Sequence, residues 1–187
     1  MTISSATCTV TTQGNGSATN FPFAFVIPYQ ADGVTPAVSV FTTNASGVRT
    51  ALTLGVDYSI TGVGVSAGGS ITYPLTGSPL ASSAWITIDR ALAYVQPFAV
   101  ANQAFYPHTV EQVADWITMQ TQQLERDAQR TLVPPCDVAS LPNAVLYAGA
   151  RGAALDATST AYGTTVVGGG TNVVPVFSNG ANWLIGG

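Results

Sequence analysis

His108, Cys8, Cys136 and nine scattered carboxylates are all that this 187-residue chain, which has no lysine, sets beside its hydroxyls for acid–base, thiol and metal chemistry. A Ser-His-Asp relay needs a histidine within hydrogen-bond reach of a hydroxyl. His108 follows Pro107 just ahead of a helical pattern, where a polar residue at the helix entrance explains it. Neither cysteine carries a local signature of a thiol–histidine site. One histidine and two distant cysteines also give no metal-ligand spacing. Glycoside hydrolysis needs two carboxyl groups held about 5–10 Å apart across a cleft. Glu111, Asp115, Glu125 and Asp127 all fall on one helix, where capping and solvation explain them, and Asp57 and Asp89 fall at strand ends. Gly62-Val63-Gly64, followed by Gly68-Gly69, has no helix behind it and reads as a hairpin loop rather than a phosphate cradle. The expectation is a protein that is not an enzyme, with no catalytic residue, cofactor or metal.

Charged residues make up 7% of the chain, against roughly 25% in an average soluble protein. The five arginines are scattered and the net charge is −4. Nucleic-acid binding, which needs clustered cations to neutralise phosphates, is therefore not expected. No apolar run approaches the ~20 residues of a membrane-spanning helix, so no membrane insertion is expected. The opening MTISSATCTV has neither a basic region nor an apolar stretch of export-signal length. Without an export route, Cys8 and Cys136 are expected as free, buried thiols. Asn15-Gly16-Ser17 and Asn44-Ala45-Ser46 then match the glycosylation pattern by chance. So neutral a surface fits a protein packed against copies of itself or other subunits, although a β-protein solvated by Thr and Ser hydroxyls has the same composition.

The elements that must position these side chains are mainly β. Short runs rich in Val, Ile, Thr and aromatics, separated by turn residues, predict strands at Ala6–Thr12, Asn20–Val26, Ala37–Thr42, Thr50–Leu54, Tyr58–Val63, Gly69–Tyr73 and Ala84–Asp89. Phe21, Phe23 and Phe25 alternate and share one face, either the core or a face that anchors the chain to a partner; Pro22 between them argues for an edge or strand-start position. Many short strands with tight turns favour an antiparallel β-sandwich. The stretch from Arg90 to Pro107, with Tyr94, Phe98, Phe105 and Tyr106, reads as a connecting arm or a further strand pair.

One long helix is expected at about 110–131. Thr109 with Gln112 forms a capping-box pattern, Arg126 and Arg130 suit the negative end of the dipole, and Pro134-Pro135 forbids continuation. Val110, Val113, Ile117, Gln120 and Leu124 step by three and four, the spacing of a coiled-coil seam. An ordinary amphipathic helix lying on its own domain has the same pattern, but Gln120 in the series favours an oligomer axis, where equivalent glutamines can bond one another. Residues 136–187 are Gly-, Thr- and Val-rich. They predict short strands at Val145–Tyr147, Thr164–Val167, Asn172–Phe177 and Trp183–Ile185, with a hairpin turn at Ser178-Asn179-Gly180. So little charge and bulk suggests a small tip stabilised by neighbouring subunits. The organisation is thus a β-domain at 1–107, a helix and hinge at 108–135, and the tip at 136–187.

The ordered series Phe21-Pro22-Phe23-Ala24-Phe25, Leu52-Thr53-Leu54-Gly55-Val56-Asp57-Tyr58, Ile60-Thr61-Gly62, Gly68-Gly69-Ser70-Ile71-Thr72, Ile86-Thr87-Ile88-Asp89-Arg90, Gln96, Asn102-Gln103, Phe105-Tyr106-Pro107, Thr109-Val110-Glu111, Asp115, Met119-Gln120, Gln122-Gln123-Leu124 and Arg130 resembles the N-terminal virion-anchoring domain of podovirus-type phage tail fibres and tailspikes. The resemblance covers residues 20 to about 134. It implies a β-rich homotrimer with the helix leading into the shaft, attached to tail, adaptor or nozzle proteins. It also implies a place in the virion tail after synthesis in the bacterial host cytoplasm. Such fibres continue into a long shaft and head, whereas this sequence ends at Gly187. The expectation is a short fibre or adaptor that carries or docks a separate fibre or tailspike. The alternative is a minimal receptor-binding fibre whose tip recognises host surface glycan.

Overall fold

The computed structural model describes residue 3, residues 5–95 and residues 107–186. The chain divides into two compact units, one of Met1–Thr42 with Thr50–Arg126 and one of Thr43–Arg49 with Asp127–Gly187. These units part within the helix, not at the expected divisions near 107 and 135.

The first unit holds strands β1 (Thr9–Gln13), β2 (Asn20–Phe23), β3 (Val38–Thr43), β4 (Arg49–Ala51), β5 (Ser59–Thr61), β6 (Gly69–Thr72) and β7 (Trp85–Arg90), the last residues of β3 and the first of β4 belonging to the other unit. All seven fall on expected strands. They form two antiparallel sheets, ordered β1-β7-β3-β4 and β2-β6-β5. Alternation explains their common core. Phe21 and Phe23 from β2, Ile71 from β6, Val40 from β3, and Ile86 and Ile88 from β7 converge with Phe25, Ile27 and Tyr58 into one buried cluster. Each such large apolar side chain contributes about 1.5–3 kcal/mol when withdrawn from water. Phe21, Phe23 and Phe25 are therefore core residues, not a free anchoring face. Pro22 sits on an edge strand, where its missing N–H breaks no ladder. Gly68, at φ +91°, lies so close to β2 that a Cβ would stand 2.0 Å from the Phe23 carbonyl oxygen, so only glycine fits the β5–β6 loop there.

The helix α1 spans Pro107–Thr131. It starts two residues before the expected Thr109 cap, because proline at the first helical position needs no hydrogen-bond acceptor and already has the right φ. Thr109 is thus inside the helix, not its cap. α1 closes before Pro134-Pro135, and Leu132 N–H still donates to the Ala128 carbonyl at 2.8 Å. The expected arm from Arg90 to Pro107 lies outside the described residues for its larger part, including Phe98, Phe105 and Tyr106; Tyr94 is exposed.

The second unit is a three-stranded antiparallel sheet ordered β10-β9-β8, from β8 (Arg151–Ala157), β9 (Asn172–Ser178) and β10 (Trp183–Ile185). β9 and β10 match the expected strands and join through the Asn179–Asn182 turn, where Asn179 N–H donates to the Asn182 carbonyl at 3.1 Å. Three expectations change here. Val145–Tyr147 is a turn, and Thr164–Val167 is reduced to a bridge between Thr165 and Leu184. β8 was not expected, since Arg-Gly-Ala-Ala-Leu-Asp-Ala lacks the β-branched residues that mark strands. The unit also closes a core of its own, in which Ala150, Ala154, Ala157, Val174, Val176, Trp183 and Ile185 are buried together. Small side chains achieve this because Ala and Gly let the strands approach closely. Bridges from Leu132 and Cys136 cover the outer edge of β8, and Thr165 covers that of β10, so neither edge is left long and open.

Candidate functional site

α1 carries apolar residues on two sides, one buried and one exposed. Its inward face on the first unit carries two apolar anchors, Trp116 and Met119, packed with Val26, Ala37 and Leu92. The rest of that face is glutamine and arginine. Gln120 Nε2 donates to the Ala93 carbonyl at 2.9 Å, and Gln122 Nε2 to the Ser5 carbonyl at 3.0 Å. Arg126 Nη1 donates to the Arg90 carbonyl at 2.6 Å. Arg90 itself is fully buried; its Nη2 donates to Gln122 Oε1, while its Nε and Nη1 have no hydrogen-bond partner among the described residues. Burial pulls its guanidinium below the usual arginine range, with the Arg126 charge acting in the same direction and Cys8 opposing.

A second apolar stripe faces outward. Val110, Ala114, Ile117, Thr121 and Leu124 are all exposed, Ile117 and Leu124 at 57% each. They step by four and three, and none is charged. The Thr121 hydroxyl donates to the Ile117 carbonyl one turn back, at 2.9 Å, so its donor is used within the helix.

Of the expected seam residues, Val110, Ile117 and Leu124 share this face. Val113 and Gln120 are half-buried, and the Gln120 amide is engaged with Ala93 of its own unit. The continuous stripe therefore runs through Ala114 and Thr121 instead. Sequence reasoning missed these two because alanine and threonine are not apolar markers, although their spacing was there to read.

The other candidate residues hold local structure. Asp115 Oδ1 accepts the Ile3 N–H at 3.2 Å, Asp57 Oδ2 the Thr53 N–H at 2.7 Å, and Asp89 Oδ1 the Thr9 hydroxyl at 2.6 Å. His108 is exposed on the first turn of α1, and Glu111, Glu125 and Asp127 are exposed further along. Asn15 and Asn44 use Oδ1 to close turns with following backbone N–H groups. Cys8 is buried, its thiol donating to the Gln122 carbonyl at 3.4 Å, Cys136 is half-buried, and neither is in a disulfide; burial raises the Cys136 thiol, with Asp137 and Asp156 adding to the rise. No group of three or more potential metal ligands occurs among the described residues, and no described helix is long and apolar enough to cross a membrane.

The second unit bears an open cleft of about 480 Å³ on the outer face of its sheet, lined by Arg151, Phe177, Tyr162, Pro175, Gly149 and Gly186 among others. Arg151 lies directly opposite Phe177 in the β8–β9 register, which puts both side chains on one face. Tyr162 projects from a turn held by Gly163 N–H on the Ile185 carbonyl, 2.8 Å, and by the Thr164 hydroxyl on the Ala161 carbonyl, 2.7 Å. The tyrosine is 75% exposed. None of the described residues lining the cleft is acidic. No protein-family model matches the sequence, and no curated protein matches it.

Proposed function

We propose that the chain is a structural subunit of a phage tail that assembles as a homotrimer through the outward face of α1. In this reading the first unit is a β-sandwich that attaches to a tail, adaptor or nozzle protein, and the second unit carries or docks a distal fibre or tailspike. The observation that carries the assembly part is the exposed apolar stripe of α1. A helix that only covered its own domain would bury Ile117 and Leu124 and expose its glutamines. Here Gln120, Gln122 and Gln123 bond the first unit, and an uncharged stripe at coiled-coil spacing faces out. Such a stripe matches another helix of the same spacing, and a second copy of this chain supplies one. The placement in a tail rests on the sequence resemblance over residues 20 to about 134, and the low overall charge agrees with a surface built to meet other subunits.

Light scattering on the intact chain at micromolar concentration and physiological salt tests the assembly. A mass three times that of the 19.1 kDa chain is expected. A monomer mass would remove the basis for the reading.

A further inference from the structure

The cleft on the second unit is chemically unlike the rest of this chain. Only five side chains of the whole sequence are cationic, and one of them, Arg151, stands in the cleft with no acidic side chain among the described lining residues. A guanidinium presents a planar fork of donors that suits a carboxylate better than a point charge does. Beside it are two aromatic rings, the half-buried Phe177 and the exposed Tyr162. A tyrosine left 75% in water by a preformed turn does not help the core; its ring offers a flat apolar surface with a polar tip. Gly149 and Gly186 leave the walls bare of side chains, so a ring can approach the backbone. The volume lies within the ~300–1,000 Å³ range of small-molecule clefts. An added peptide strand is disfavoured, since both sheet edges already carry bridges from the chain itself.

We infer that this cleft binds a carboxylate-bearing sugar: the carboxylate pairs with the Arg151 guanidinium, and the C–H face of the ring packs on Tyr162 and Phe177. The inference goes beyond the assembly reading and does not depend on it, because the cleft lies within the second unit and uses no residue of α1.

Saturation-transfer NMR on the intact chain, with glucuronate, glucose, acetate and benzoate as separate probes, tests it. Glucuronate is expected to bind saturably and at least about tenfold more tightly than glucose or acetate, a difference of ~1.4 kcal/mol or more. Arg151→Gln is expected to lose that preference, Arg151→Lys to keep part of it, and Tyr162→Ala to weaken glucuronate binding about tenfold while leaving its preference over glucose. Arg151 and Tyr162 are exposed, so the variants keep the amide spectrum of the parent, which serves as the folding control. Absence of glucuronate binding at tens of millimolar would overturn the proposal, as would equal affinity for glucose, a preference for benzoate over glucuronate, or indifference to Arg151→Gln. The oligomer mass enters none of these outcomes, so failure here leaves the assembly reading standing.

Discussion

The side-chain amide of Gln123 pairs with both backbone groups of Leu92. The Leu92 N–H donates to Oε1 at 2.8 Å, and Nε2 donates to the Leu92 carbonyl at 3.1 Å. Both partners are buried, so the pair works as a one-residue strand that continues the chain beyond β7 and holds α1 against the first unit. Gln123→Ala is expected to destabilise this unit by about 2–5 kcal/mol, because it strands two buried backbone groups at once. Gln123→Met, with similar volume and no polar group, has the same cost in pairing and should destabilise similarly. Urea unfolding at fixed protein concentration measures both; a loss under ~0.5 kcal/mol would place the pair among incidental contacts.

The Arg90–Gln122 contact behaves in the opposite way. Arg90 is fully buried with two of its nitrogens lacking a hydrogen-bond partner among the described residues, so its desolvation is only partly compensated. Replacing a buried ion by an apolar side chain of similar size is often neutral or stabilising by ~1–4 kcal/mol. Arg90→Met is therefore expected to leave stability unchanged or raise it, whereas Gln122→Ala, which strips the guanidinium of a partner, should lower it by about 1–3 kcal/mol. Thermal melts of the two variants give the comparison. A strongly destabilised Arg90→Met would mean that the guanidinium has a compensation the contacts do not account for.

The α1 stripe separates two sets of residues that the sequence pattern groups together. Ile117→Asp, Leu124→Asp and Thr121→Asp each place a charge in the proposed seam, at a desolvation cost of several kcal/mol. Each is expected to bring the mass down towards 19.1 kDa. Gln120→Ala should leave the mass unchanged, because the Gln120 amide is spent on Ala93 of its own unit. Sedimentation of the four variants distinguishes this seam from one running through Val113 and Gln120, for which Gln120→Ala would disturb assembly and Thr121→Asp would not.

Asp156 ties three parts of the second unit together. Its Oδ1 accepts the Val138 N–H at 2.7 Å and its Oδ2 the Gly169 N–H at 2.9 Å. These two bonds hold its pKa below the ordinary 3.8. A depressed carboxylate pKa means that the folded state favours the ionised form. The stabilisation is therefore complete above the unfolded value near 3.8 and disappears as pH falls through the lower folded value. Hydrogen exchange at the Val138 and Gly169 amides should be slower in the parent than in Asp156→Asn at neutral pH, and the gap should close as pH falls through the folded value. A gap independent of pH would show that the carboxylate charge is not what holds these amides.

The sequence alone determined the local elements that depend on neighbouring residues. The seven strands of the first unit, the hairpin from β9 to β10 and the stop of α1 before Pro134-Pro135 follow from alternation, turn residues and the missing proline donor. Those are short-range effects, and short-range patterns carry them. β8 escaped because Arg151–Ala157 has no strand propensity of its own; its place is set by pairing with β9 and by alanines small enough to pack beneath it. The faces of α1 escaped for a related reason. Spacing shows that Val110, Ile117 and Leu124 share a side, but whether that side turns in or out depends on what meets the helix. Trp116, Met119 and the glutamine pairs with Ser5, Leu92 and Ala93 decide it, from positions distant in sequence. The cleft is the furthest from legibility, since Arg151, Tyr162 and Phe177 are neighbours only through the β8–β9 register and the turn that Ile185 holds. Periodicity is a property of one segment, whereas facing and convergence are properties of the packed chain.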